Sequence, residues 1–213
     1  MTNRERVIDL SVKYTGNRER ITQLTYENNL SHYGSSLGVY EVLKEIEKVK
    51  TPEDIIVLDE AHGAMGYYAW LEEQGVADAQ KLFEKHGVHQ NRDPENQIWV
   101  SGGSLGQAGA VSLGMAIADR QRDVFVIFSD GGFREGIWSE CLQTAAKLKI
   151  NNWKPYLNFN GFSGYEETDY EQIRKQIEGL GHPVKIIKTH VDGLQDHYRK
   201  VTEEEYRKSN RPA

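Results

Sequence analysis

The chain has 213 residues, with 26 lysines and arginines against 32 aspartates and glutamates, and a formal net charge of −6 at pH 7. This length predicts one domain with a sizeable core, and the acidic balance argues against a nucleic-acid partner. A single cysteine excludes an intramolecular disulfide and a zinc site built from several cysteines. No apolar run reaches the roughly 18 residues of a membrane span, and no secretory signal is recognisable, so we expect no membrane partner and a cytoplasmic location.

Short apolar runs alternate with amphipathic or small-residue runs along the chain. The first 31 residues are polar with an irregular helical pattern, and 85–100 is a polar, loop-like stretch that ends in an apolar triplet. Buried strands are predicted at 54–58, 123–128, 153–159 and 184–188. Helices are predicted at 39–49, 61–74, 110–119, 135–148 and 170–180. This alternation predicts an α/β fold with a mostly parallel sheet flanked by helices on both faces.

Candidate ligand groups follow two of the predicted strands, where ligands of parallel sheets bind. Asp130 ends one strand, and Gly131 and Gly132 after it let backbone approach a ligand closely. A helix N-terminus suits a phosphate, and a neighbouring carboxylate suits a divalent cation that neutralises the phosphate. Asn160, after the next strand, is a candidate second oxygen ligand. The alternatives are a helix cap for Asp130 and a turn role for Asn160.

The glycine-rich segments satisfy neither the dinucleotide fingerprint nor the P-loop pattern. The segment 102–106 does match the Gly-x-Ser-x-Gly nucleophile elbow, which makes Ser104 a candidate nucleophile of a serine hydrolase. The alternative is a tight turn that leads into a helix. The partners of Ser104, in the chain order of an α/β-hydrolase, would be Asp130 and one of His182, His190 and His197.

Five segments, in the same order along the chain, resemble motifs of the transketolase family. The run Ser129-Asp-Gly-Gly, then Glu135-Gly, then Asn158-Phe-Asn160-Gly resembles the thiamine-diphosphate motif of that family. The other segments resemble its histidine-glycine motifs, its Thr-Gly-Ser-Leu-Gly-Gln motif and the closing segment of its split N-terminal subunits. These segments lie at 29–37, 60–71, 88–107 and 197–206. The stretch between 181 and 197 is shorter than the family pattern.

The resemblance implies a thiamine-diphosphate-binding fold and a site for thiamine diphosphate with Mg²⁺, or with Ca²⁺ or Mn²⁺. The metal would be held by Asp130, the side chain of Asn160 and the carbonyl group of Phe162. The residues implied to contact the cofactor are His62, Gly103, Ser104, Leu105, Gly131, Gly132 and Asn160. The histidines implied to act in catalysis along the substrate channel are His32, His62, His89 and His197.

The activity that the resemblance implies is transfer of a two-carbon ketol unit from a ketose, or ketose phosphate, to an aldose. Every matched motif belongs to the diphosphate-binding half of such a site, so residues 1–213 are expected to form one diphosphate-binding domain. The pyrimidine-binding half is expected on a separate chain, with Glu135 near the interface of a heterotetramer that also self-associates. The alternatives are a thiamine-diphosphate-dependent lyase or dehydrogenase acting on a 2-oxoacid, the serine hydrolase, and a non-catalytic role.

Overall fold

The computed structural model describes residues 8–9, 17–164, 166–189 and 197–210. The strands in these ranges are β1 (Ile8–Asp9), β2 (Ile55–Leu58), β3 (Val124–Ser129), β4 (Trp153–Phe159), β5 (Phe162–Ser163), β6 (Glu166–Glu167) and β7 (Lys185–Lys188). The α-helices are α1 (Arg18–Glu27), α2 (Tyr33–Glu47), α3 (Ala64–Glu73), α4 (Ala79–His86), α5 (Gln107–Ala118), α6 (Asp130–Phe133), α7 (Gly136–Leu148), α8 (Tyr170–Leu180) and α9 (Glu203–Ser209). Two 3-10 turns lie at Ala61–Gly63 and Pro94–Asn96.

Five strands form a parallel sheet in the order β1-β7-β4-β3-β2. In the register of the central strands, Ile127 of β3 pairs with Leu58 of β2 and with Tyr156 of β4. The short strands β5 and β6 form a separate antiparallel pair directly after β4. Because the five sheet strands are parallel, their carboxyl ends meet at one edge of the sheet, which we call the carboxyl edge.

Apolar side chains of β3 point alternately to the two faces of the sheet. Phe125 and Ile127 pack in a cluster with α1, α2, α3 and α4, whereas Val124, Val126 and Phe128 pack in a second cluster with α5, α7 and α8. Burial on both faces explains why β3 is a continuous apolar run and not an alternating one. The predicted fold class, a parallel sheet with helices on both faces, is confirmed. None of the helices described combines the length and apolar character that crossing a bilayer takes.

The predicted strands agree with β2, β3, β4 and β7 to within one residue at each end. Helix α2 begins at Tyr33, well before the predicted start at 39, because the small residues at 34–38 pack closely instead of breaking the helix. A Cβ atom at Gly38 would lie 2.8 Å from Asn158 Oδ1 on β4. Helix α4 was not predicted and overlaps the start of the predicted loop 85–100, although Asp78 caps it by accepting the Lys81 N–H at 2.8 Å.

Candidate functional site

The carboxyl edge collects polar residues that directly follow four neighbouring strands. Asp59 follows β2, Asp130 follows β3, Asn160 follows β4 and Thr189 follows β7. Asp59, Asp130 and Asn160 are all buried, with at most 6% of their surface exposed. Because a polar group that leaves water needs a partner, each of these side chains either holds neighbouring backbone or offers itself to a ligand.

Asp130 has one satisfied and one unsatisfied carboxylate oxygen. Its Oδ2 accepts the Gly161 N–H at 3.0 Å and the Thr168 hydroxyl at 2.7 Å. Its Oδ1 is buried and has no hydrogen-bond partner among the described residues. Burial raises the pKa of Asp130 to about 6, although its hydrogen bonds oppose that rise. An orphaned carboxylate oxygen of this kind fits a divalent cation, which would both pair with it and neutralise it.

Asn160 and Phe162 form a tight turn beside Asp130. The Phe162 N–H donates to Asn160 Oδ1 at 2.9 Å, and this amide oxygen keeps a second lone pair for a ligand. The described residues hold no group of three or more His, Cys, Asp or Glu side chains that could bind a metal. Mg²⁺ prefers oxygen ligands and takes few of them from the protein, because phosphate oxygens and water supply the rest. The predicted set of one carboxylate, one amide oxygen and one carbonyl fits this requirement.

The two glycines after Asp130 let backbone line the site without side chains. Gly132 donates its N–H to Ser129 Oγ at 3.1 Å in the short helix α6. A Cβ atom at Gly132 would lie 3.1 Å from Asp59 Oδ2, and one at Gly131 would lie 3.6 Å from Ser163 Oγ. A side chain at Gly132 would therefore crowd the Asp59 carboxylate.

Asp59 holds the glycine-rich loop 101–106 at the carboxyl edge of the sheet. Both of its carboxylate oxygens lie 2.9 Å from the Gly106 nitrogen, and it also accepts the Ala108 N–H and the Trp138 indole N–H, each at 3.2 Å. Gly106 is left-handed with φ +88°, and a Cβ atom there would lie 2.4 Å from the Ile137 side chain. The loop that contains Gly103, Ser104 and Leu105 is thus fixed at one end by a buried carboxylate.

Three of the four predicted catalytic histidines come together beside the metal-site residues. The ring centroids of His32, His62 and His197 lie 5.2–6.2 Å apart. His62 keeps 23% of its side chain exposed, and burial together with the neighbouring histidines lowers its pKa to about 3. Burial also lowers the pKa of His32, whose backbone is left-handed at the start of α2. Both imidazoles are therefore neutral hydrogen-bonding groups at pH 7.

His89 and His197, the remaining predicted catalytic histidines, differ in exposure. His89 is exposed, and its Cγ would lie 3.5 Å from a Cβ atom at Gly103, so it borders the glycine-rich loop. His197 is only 4% exposed, and its Nδ1 lies 3.1 Å from Ser35 Oγ and 3.2 Å from Asn160 Nδ2. The His89 side chain is therefore accessible from solvent, whereas His197 lies beneath the surface.

The structural context of a serine nucleophile elbow is missing around Ser104. No strand precedes it, since Ile98 makes only an isolated bridge with Asp93, and the positive φ angles fall on the neighbouring glycines and not on Ser104. Among the described residues, Ser104 makes no hydrogen bond to a histidine. His182 bonds the Trp153 carbonyl at 3.1 Å, at the opposite edge of the sheet, and His190 lies outside the described residues.

A buried network next to the site was missed from the sequence. Glu60 is fully buried and accepts the Asn158 side-chain N–H groups at 3.0 and 3.1 Å, and the Thr189 hydroxyl donates to Asn158 Oδ1 at 2.8 Å. Burial, with the charges of Asp130 and Asp59, raises the pKa of Glu60 well above its usual range. The available signal was the acidic pair 59–60 directly after β2, which follows the same strand-end rule that singled out Asp130.

The sequence is similar to several curated proteins, among them a transketolase and a 1-deoxy-D-xylulose-5-phosphate synthase. It is 29% identical over 153 residues to a transketolase of Rhodobacter capsulatus, and this match covers 58% of the chain and 23% of that relative. It is 27% identical over 158 residues to a 1-deoxy-D-xylulose-5-phosphate synthase of Fusobacterium nucleatum, with 72% of the chain and 26% of that relative covered. The chain thus spans about a quarter of the length of these relatives. No protein-family model matches the sequence.

The fold matches solved transketolase structures over most of the chain. The match to transketolase from Leishmania mexicana has a TM-score of 0.67 at 20% identity and covers 91% of this chain and 40% of that one. At this identity the likeness establishes the fold alone, which is the parallel sheet with helices on both faces. The chain is thus similar to transketolases in part of its sequence and in its fold.

Proposed function

We propose that this chain is the diphosphate-binding half of a thiamine-diphosphate- and Mg²⁺-dependent enzyme that transfers a two-carbon ketol unit from a ketose, or ketose phosphate, to an aldose. The observation that carries this proposal is the buried, unpartnered Oδ1 of Asp130 beside two glycines that line the same edge. A cation that pairs with this oxygen would bridge the chain to a diphosphate.

The proposed metal ligands are Asp130, the amide oxygen of Asn160 and the carbonyl of Phe162. Thr168 supports this set by donating its hydroxyl to the other oxygen of Asp130, which leaves Oδ1 as the oxygen that a cation would take. The backbone of Gly131, with no side chain in the way, is proposed to lie against the diphosphate. Magnesium would complete its shell with phosphate oxygens and water.

When bound, thiamine diphosphate supplies the carbanion chemistry, and the protein supplies binding, orientation and electrostatics. His62 is proposed to hold a sugar hydroxyl by a neutral hydrogen bond, because its low pKa makes it a poor proton carrier at pH 7. His32 and the exposed His89 are proposed to exchange protons with sugar hydroxyls or to contact a substrate phosphate. The loop with Gly103, Ser104 and Leu105 is proposed to present backbone to the cofactor, held in place by Asp59.

The pyrimidine-binding half is proposed to lie on a second chain. Glu135, the residue directly before α7, is exposed, lies beside Gly106 of the glycine-rich loop and is a candidate contact with that chain. The match to the solved transketolase from Leishmania mexicana covers 40% of that chain. Self-association of the resulting pair into a heterotetramer belongs to the same proposal.

The proposal is tested by mixing the chain with its candidate pyrimidine-binding partner and measuring ketol transfer between a ketose phosphate and an aldose. Activity should require both chains, Mg²⁺ and thiamine diphosphate. Asp130→Asn should abolish this activity. Asp119→Asn is the matched control and should leave the activity unchanged, because Asp119 is a half-exposed carboxylate directly after the C-terminal end of α5. Full activity of the Asp130 variant, or of the mixture without thiamine diphosphate, would contradict the proposal.

A second candidate function is another thiamine-diphosphate-dependent lyase or dehydrogenase activity on a 2-oxoacid. The observation that favours it is the match to a relative that is named a 1-deoxy-D-xylulose-5-phosphate synthase and not a transketolase. Product analysis with a ketose phosphate and with a 2-oxoacid as alternative donors separates the two. Both candidates require Asp130, so only the donor preference of the mixture decides between them.

A further inference from the structure

We propose that His197 and Ser35 are positioning residues that fix the orientation of the Asn160 amide, so that its oxygen and not its nitrogen faces the metal. This inference rests on the proposed function, because it assigns Asn160 to the metal site. It gives His197 a role other than contact with a substrate, in keeping with its 4% exposure.

The two ends of the Asn160 amide have different partners. Its Oδ1 faces the Phe162 N–H at 2.9 Å, and its Nδ2 faces His197 Nδ1 at 3.2 Å. A flipped amide would set its NH₂ group against the Phe162 N–H, two donors in contact, and the flipped form is therefore disfavoured. The amide nitrogen cannot bind a cation, so the orientation of this one group decides whether Asn160 can act as a ligand.

This arrangement defines the tautomer of His197. Because the Asn160 NH₂ group only donates, Nδ1 must be the unprotonated nitrogen, and the ring proton must lie on Nε2. Ser35 Oγ lies 3.1 Å from the same Nδ1 and, in this tautomer, donates to the same lone pair that accepts the Asn160 N–H. A histidine with its proton on Nδ1 would instead repel the amide and favour the flipped, non-binding form.

The ring of His197 is also held by packing. It lies nearly parallel to the Phe162 ring, with an interplanar angle of 18° and centroids 6.4 Å apart, and it meets the Tyr198 ring edge-on at 4.6 Å. The segment that carries it is tied to the start of α2, where the His32 N–H reaches the Tyr198 carbonyl at 3.5 Å. The metal site is thereby linked to a segment that is distant along the chain. Partners of this outer kind typically contribute a factor of 10 to 100 to metal affinity.

Two measurements test this role. In the wild-type chain, NMR of ¹⁵N-labelled histidine should show the His197 proton on Nε2 and an unprotonated Nδ1. In the mixture of the chain, its partner and thiamine diphosphate, titration with Mn²⁺ as the probe should show the wild type and His197→Asn binding within about threefold of each other. The asparagine oxygen takes the place of Nδ1 as an acceptor. His197→Leu, which keeps no acceptor, should bind Mn²⁺ about 10- to 100-fold more weakly.

His182→Leu, a change to another buried histidine at the opposite edge of the sheet, is the matched control and should bind Mn²⁺ like the wild type. A proton on Nδ1 of His197, or a folded His197→Leu variant with wild-type Mn²⁺ affinity, would overturn the inference. The NMR measurement needs no variant and decides the matter even if the leucine variant does not fold. Absence of Mn²⁺ binding by the wild-type mixture would instead refute the proposed function, and the inference with it.

Discussion

Replacing Asp130 by asparagine is predicted to stabilise the metal-free chain in a pH-dependent way. Burial raises the pKa of Asp130 from the usual 3.8 to about 6. Each factor of ten in an ionisation constant is worth about 1.4 kcal/mol, so ionised Asp130 costs the folded chain about 3 kcal/mol at pH 7. Asparagine carries no charge and avoids this cost.

The sign of the effect follows from the protons bound in each state. Between about pH 4 and pH 6 the folded chain keeps the Asp130 proton while the unfolded chain has lost it, so the stability of the wild type falls as the pH rises through this window. Above it the cost is constant. The difference in unfolding free energy between Asp130→Asn and the wild type should therefore rise by about 3 kcal/mol in favour of the variant between pH 4 and pH 7.

Denaturant unfolding in the presence of a chelator measures this difference, and subtraction of the wild-type curve cancels the titrating groups that do not interact with Asp130. Asp119→Asn, a control at a half-exposed carboxylate, should change the free energy of unfolding at pH 7 by no more than about 0.5 kcal/mol. A pH-independent difference for the Asp130 variant, or one that shrinks toward neutral pH, would show that the carboxylate is not held in an unfavourable charged state. Added Mg²⁺ with thiamine diphosphate and the partner should reverse the order of stability, since only the wild type binds them.

Substitutions at Gly132, Asp59 and Ser104 test other parts of the site, and Gly114→Ala serves as a control. Gly132→Ala should cost about 1–3 kcal/mol of unfolding free energy through the 3.1 Å approach to Asp59, whereas Gly114→Ala, with nothing within 4 Å, should stabilise α5 by about 0.5–1 kcal/mol. Asp59→Ala leaves two backbone N–H groups and an indole N–H without an acceptor and should cost at least about 3 kcal/mol, with faster proteolysis of the glycine-rich loop as a second readout. Ser104→Ala should leave ketol transfer and stability nearly unchanged, and loss of all activity in this variant would favour a hydrolase. Equal unfolding midpoints for the two glycine variants would contradict the close packing at Gly132.

The sheet and the two strand-end ligand candidates could be predicted because they depend on local patterns. Continuous apolar runs mark strands buried on both faces, and the residue after such a strand lies at the carboxyl edge by topology alone. This rule placed Asp130 and Asn160 at the carboxyl edge, where the structure has them. The same rule applied to Asp59 and Glu60 would have identified the carboxylate that holds the glycine-rich loop and the one that anchors Asn158.

The rest depends on contacts between distant parts of the chain. Ser35 meets His197 across 162 residues, and no spacing or periodicity in the sequence indicates that contact. The gathering of His32, His62 and His197 was expected only from the family resemblance, not from the residues themselves. The predicted helix at 39–49 starts too late because Gly38 allows α2 to approach β4 closely, and only the tertiary structure shows that contact.

The most direct test of the central claim is calorimetric titration of thiamine diphosphate into the chain mixed with its candidate pyrimidine-binding partner. The proposed site predicts binding that appears only when Mg²⁺ is present and is lost in Asp130→Asn, while Asp119→Asn binds like the wild type. Binding that persists in a chelator, or that is unchanged by the Asp130 substitution, would contradict a metal-bridged diphosphate at the carboxyl edge.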